Sequence, residues 1–116
     1  MSAERRKPPV SPPARAKMPA RSELPALAAF LSGYLHEDFV AEHDTPEGAL
    51  RAFARDATAG ERRQLATDLE RYLALSAGWS WRDVKRGWSG LGGAWTPPSR
   101  HALSVFAAGV AAASRR

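Results

Sequence analysis

YLHEDFVAEHDTPE, residues 34–47, closes one apolar stripe and opens another. Upstream of it, Leu24, Leu27, Phe30, Leu31, Tyr34 and Leu35 recur at the three-four spacing of an amphipathic helix. Downstream, Ala49, Leu50, Phe53 and Ala54 do the same. Between the two, Thr45-Pro46-Glu47 signals a helix start: Asp44 or Thr45 caps, Pro46 takes the first position, and Glu47 faces the positive helix end. The stretch is a corner between two helices. It carries Glu37, Asp38, Glu42, Asp44 and Glu47 with no Lys or Arg, and it holds His36 and His43.

Working outward, the first helix is expected over Glu23–Leu35 with Ser22 as its cap, and the second over Pro46–Ala57. Thr58 and Glu61 have capping-box spacing and open a third helix, Ala59–Ser76. Leu65, Leu69, Tyr72 and Leu73 face its core side. Arg62, Arg63, Asp68, Glu70 and Arg71 lie on its other faces, and Gly78 is the expected C-cap. Ser80 and Asp83 start a short fourth helix, Trp81–Trp88, followed by a flexible loop over Ser89–Ala94. Pro97 and Pro98 forbid helix, and Ser99 caps a last one, Arg100–Ala113, that buries Leu103, Phe106, Ala107 and Val110. The four tryptophans complete the core at this end, with Trp79 or Trp95 left at the surface.

The composition agrees with these elements. Ile and Asn are absent and β-branched residues scarce, whereas Ala, Leu and Arg, all good helix formers, dominate. The Ala and Arg bias is that of a GC-rich bacterial coding sequence. The expected fold is all-α: a small single-domain bundle of about five short helices over residues 22–116. Residues 1–21, with Pro8, Pro9, Pro12, Pro13 and Pro19 and little that is apolar, read as a disordered basic tail.

The formal net charge is +5. Residues 1–21 contain six basic side chains and one acid, which accounts for all of it; residues 22–116 contain eleven of each sign. That balance hides a separation, because 23–47 has six acids and no base. The domain is lopsided, not basic.

With no Cys, disulfides and thiolate metal sites are excluded and a reducing, cytoplasmic compartment is expected. No apolar run approaches the length of a membrane span. Catalytic patterns fail: Gly87-Trp-Ser89-Gly90 lacks the nucleophile-elbow spacing, and Gly90-Leu-Gly-Gly93 lacks the third glycine of a dinucleotide loop. His36 and His43 do not have the i, i+4 spacing of a helical zinc pair. A calcium loop begun at Asp38 would put His43 where glycine is required. No enzyme activity, metal or cofactor is therefore expected. An alternative function is nucleic-acid binding, through the basic tail and Arg82, Lys85 and Arg86 on the fourth helix, with Trp79, Trp81 and Trp88 stacking on bases. An acidic side opposes it.

Leu31-Ser-Gly-Tyr34-Leu-His36-Glu-Asp38-Phe39, followed by Thr45-Pro46-Glu47-Gly48-Ala49-Leu50 and Phe53, resembles the opening of the CdiI-type immunity proteins of bacterial contact-dependent growth inhibition systems. The helix Leu65–Leu73, Leu91-Gly92 and Trp95-Thr-Pro-Pro98 resemble later parts of the family. Gly48, where a second acid is common, and Val105-Phe106, where a Trp-Leu pair is expected, depart from it. The resemblance implies a non-enzymatic cytoplasmic protein, monomeric when free, that binds and neutralises the C-terminal domain of a cognate toxin, a nuclease. On this reading Tyr34, His36, Asp38 and Phe39 build the corner. His36 is expected to make a buried hydrogen bond there. Glu37, Glu42, Asp44 and Glu47 meet the toxin.

Overall fold

In the computed structural model, residues 18–115 are described. After a 3-10 turn at Arg21–Glu23, the elements are α1 (Pro25–Tyr34), α2 (Phe39–His43), α3 (Pro46–Asp56), α4 (Ala59–Leu75), α5 (Trp81–Ser89) and α6 (Arg100–Ser114). The five expected helices are present, with ends moved by a residue or two. The sixth, α2, lies inside the corner. The chain is all-α, as its composition implies.

The start of α1 differs from expectation for a physical reason. Ser22 sits exposed in the 3-10 turn, and Leu24, the residue before the helix, has no capping side chain. The cap comes from α4 instead. Asp68, expected on an outer face, is 2% exposed, and its Oδ2 accepts from the N–H groups of Ala26 at 2.7 Å and Leu27 at 3.1 Å. Its Oδ1 accepts from Gln64 Nε2 at 3.1 Å. A carboxylate at the positive end of a helix, bonded to otherwise orphaned N–H groups, replaces the water it has lost. The other helices use the local caps that their sequences announce: Thr45, Thr58, Ser80 and Ser99 accept from Gly48, Glu61, Asp83 and Ala102 respectively.

A second long-range contact from α4 closes α3. Arg62 Nη1 donates to the carbonyl oxygens of Ala57 at 2.8 Å and Ala54 at 3.3 Å. These are terminal acceptors at the negative end of α3, so the sign again matches the helix dipole.

The core holds Leu27, Phe30 and Leu31 of α1, Leu65, Leu69 and Tyr72 of α4, and Trp88, Phe106 and Val110. α4 lies along both α1 and α6. Tyr72 is fully buried, and its hydroxyl donates to Val84 O on α5 at 2.5 Å. Burial pushes the phenol's pKa far up, although a backbone hydrogen bond at Trp88 opposes this, and the proton stays available to donate. Gly87 makes the approach possible: a Cβ there would lie 2.6 Å from the Tyr72 hydroxyl. The expected C-cap at Gly78 is not used; α4 ends on Ser76, whose buried hydroxyl bonds back to Tyr72 O at 2.8 Å.

Trp79, a candidate for exposure, is 3% exposed and Trp88 is 1% exposed, whereas Trp81 and Trp95 are half-buried. Ser89–Ala94, expected as a flexible loop, is pinned. Ala94 N–H donates to Leu35 O at 2.7 Å, Trp88 Nε1 to Trp95 O at 3.1 Å, and Arg21 Nη1 to Leu91 O at 2.6 Å. Gly92 has φ +111°, and a Cβ on it would overlap the Arg21 guanidinium. Arg21, read from sequence as the end of the tail, thus contacts this loop; the reading of 1–17 falls outside the described residues.

Replacing Asp68 by Ala leaves two helix-terminal donors without an acceptor and should lower unfolding free energy by about 2–4 kcal/mol. Asp68→Asn, which keeps an oxygen but loses the charge, should cost about half as much; urea titration of the three proteins checks the order.

Candidate functional site

The corner is built on a buried anchor. Leu35 follows α1 with its side chain fully buried and its carbonyl held by Ala94 N–H. From there the chain turns outward through His36–Asp38 and enters α2. Tyr34, half-buried, lies between Phe30 (centroids 5.5 Å, nearly parallel) and His43 (5.8 Å), with Phe53 edge-on at 5.6 Å. It belongs to the packing beneath the corner. The side chain of Phe39, expected beside it, falls outside the described residues; its backbone opens α2. The apolar residue α2 turns outward is Val40, 60% exposed.

Hydrogen bonding fixes the state of His36. Its Nδ1 lies 3.1 Å from the backbone N of Asp38, a group that can only donate, so Nδ1 carries no proton. The ring proton is therefore on Nε2, which points to Glu42 Oε1 at 3.1 Å. Glu42 Oε1 also lies 3.7 Å from His43 Nε2. His36 is 32% exposed, so this arrangement is a surface brace and not the buried bond expected.

The same argument tells against a metal. A neutral imidazole binding a cation through Nε2 needs its proton on Nδ1, where a second acceptor normally holds it. Here Nδ1 faces a donor. Among the described residues, no group of three or more His, Asp and Glu side chains is arranged to hold an ion.

α2 ends in a tight reversal at Asp44, whose φ of +68° and ψ of −52° accompany a bond from Thr45 N–H to His43 O at 2.7 Å. That is a γ-turn of the positive-φ kind, a conformation that strains any residue with a Cβ. The reversal brings the His43 carbonyl against Gly48, where a Cβ would overlap the oxygen. Gly48 is thus required by close approach.

Glu37, Asp38, Glu42, Asp44 and Glu47 are all exposed. Among the described residues, none of them pairs with a Lys or Arg; the ion-pair contacts in the corner are those of Glu42 with the two histidines. The Asp38 side chain caps nothing, although the residue precedes α2. Glu37 and Asp38, with His36, form one wall of a cleft of about 350 Å3 whose other wall is Gly92, Gly93 and Ala94. Glu47 lies on α3, one turn before Arg51 and two before Arg55.

The alternative surface fares worse. Arg82, Lys85 and Arg86 are exposed on α5. Yet Trp79 and Trp88 are buried, and Trp81 is occupied by Arg100, whose guanidinium lies 5.6 Å from the ring centroid. No aromatic platform for bases results from them.

The model of the CdiI immunity protein family matches residues 23–83. The chain belongs to this family. The match spans 61 of 116 residues and contains α1 to α4 with the whole corner; Leu91-Gly92, Trp95–Pro98 and α6 lie beyond it. No curated protein and no solved structure matches the chain. As a CdiI immunity protein it is an inhibitor and not an enzyme: its partner is a cognate toxin protein, which it neutralises. No helix among the described residues is long and apolar enough to cross a membrane.

Three substitutions test the corner. Asp44→Gly should raise stability by about 1 kcal/mol, because glycine adopts the turn without strain. Gly48→Ala should lower it by about 2 kcal/mol, since backbone must move to admit the methyl. His36→Ala, losing a half-exposed brace, should cost at most about 1 kcal/mol. Chemical denaturation of each purified protein measures all three.

Proposed function

We propose that the acidic corner is the face this immunity protein presents to its toxin, and that the toxin is a nuclease, the C-terminal domain of a large exported protein. What supports the reading is the set of carboxylates at the corner, exposed and unpaired with any Lys or Arg among the described residues. A nuclease cleft is basic because its substrate is a phosphate polymer. A cluster of carboxylates entering that cleft takes the place of phosphates, and opposite charge speeds the encounter.

The residues divide by how much freedom the fold leaves them. Glu37, Asp38, Asp44 and Glu47 make no side-chain ion pair among the described residues, which leaves their charge to a partner. Glu42 is braced by His36 and His43 and is presented with less rotational freedom, which reduces the entropy lost on binding. Val40, exposed among these acids, is the apolar contact of the patch. Tyr34 acts from below by stacking on His43. Neutralisation takes place in the cytoplasm, and the free protein is a monomer.

The toxin domain is expected to be encoded immediately upstream of this reading frame. Its complex with the immunity protein should weaken at least ~30-fold when Glu37→Lys and Asp38→Lys are combined, mainly through a slower association rate. The melting temperature should not change. Wild-type affinity should also fall as salt rises. Unaltered association kinetics in the double variant would exclude the corner as the toxin-binding face.

A further inference from the structure

An apolar depression of the surface runs between α3 and α6. Its floor is Leu50, Ala54, Gly109, Ala112 and Ala113, and its volume is about 610 Å3. Small residues on α6 keep it open, and Val105, one turn before Gly109 on the same face, is 49% exposed. The wall on α3 is charged. Glu47, Arg51 and Arg55 follow one another at four-residue steps along the groove. Arg51 makes no ion pair among the described residues, and Arg55 meets only its exposed neighbour Asp56, 3.5 Å away. An exposed contact of that kind contributes little and is readily exchanged.

We propose that this groove is the second half of the toxin interface and takes an acidic amphipathic helix of the toxin domain. The inference rests on the toxin-binding reading given above. Three observations select the occupant. The floor is apolar, which suits the side chains of one helix face and not a nucleic-acid backbone. The guanidinium groups of Arg51 and Arg55 stand at the rim, one helical turn apart, where they meet carboxylates spaced by one turn on a partner helix. Glu47 belongs both to the acidic corner and to the groove, so a single partner can cover the two without a gap.

The interface is then bipolar: a basic cleft of the toxin lies on the corner, and an acidic helix beside that cleft lies in the groove. Two patches of opposite sign set one orientation of docking, since a partner turned end for end meets like charge at both. A uniformly basic nuclease would be held by the corner alone, with no such restriction.

The experiment uses the full-length protein and the toxin domain encoded next to it. Affinity is measured for the wild type, for Arg51→Glu with Arg55→Glu, for Ala112→Trp, which fills the groove without changing charge, and for Glu37→Lys with Asp38→Lys. The groove variants are each expected to bind at least ~10-fold more weakly while remaining folded, the arginine variant with a slightly lower melting temperature because Arg55→Glu opposes the negative end of α3. A photo-crosslinker at Arg51 is expected to capture a toxin peptide rich in Asp and Glu. Unchanged affinity in both groove variants overturns the inference, whatever the corner variant does. Weakening in the groove variants together with full affinity in the corner variant removes the corner reading and leaves the groove. Capture of a basic toxin peptide, or loss of duplex DNA binding in Arg51→Glu/Arg55→Glu with toxin affinity intact, also overturns it.

Discussion

Two side chains of α4, opposite in sign, hold the remote ends of the two helices that flank the corner. Asp68 binds the positive end of α1, and Arg62 binds the negative end of α3. Each supplies what the helix end lacks, and each is on the same rigid element. The angle between α1 and α3 is therefore set from behind. The corner sits where these two helices approach each other, so its geometry depends on contacts made far from it.

Legibility in the sequence follows the range of the interaction. Thr45, Thr58, Ser80 and Ser99 cap helices that begin one residue later, and a cap of that kind is written within four residues. Asp68 caps a helix that starts more than forty residues earlier in the chain. Nothing near it in sequence distinguishes it from Glu70 or Arg71, so it read as one more charge on an outer face. The same applies to Gly78, which looked like a helix stop, while the actual stop at Ser76 depends on burial against Tyr72.

The corner was recognisable as a helix–helix junction because Thr-Pro-Glu and the two apolar stripes are local signals. Its interior was not. α2 has only five residues, too few for an apolar period to be seen, and its existence follows from the reversal at Asp44 and the room left by Gly48. For this reason nothing in the sequence singles out Val40 as an exposed apolar residue or joins Glu42 to His36 and His43. Arg82, Lys85 and Arg86 are exposed on α5, but Trp79 and Trp88 do not stand beside them as free rings, since the core buries both.

Because the corner's angle is held from α4, most of its carboxylates carry none of the folding load. Glu37 and Asp38, which cap no helix and make no ion pair among the described residues, can each be exchanged for almost any polar residue while the domain stays folded. With the corner as the proposed toxin-binding face, such an inhibitor can follow a changing toxin one residue at a time, with every intermediate still able to fold. Gly48 marks the limit of that freedom: the charges around the turn are open to revision, whereas the turn itself is not.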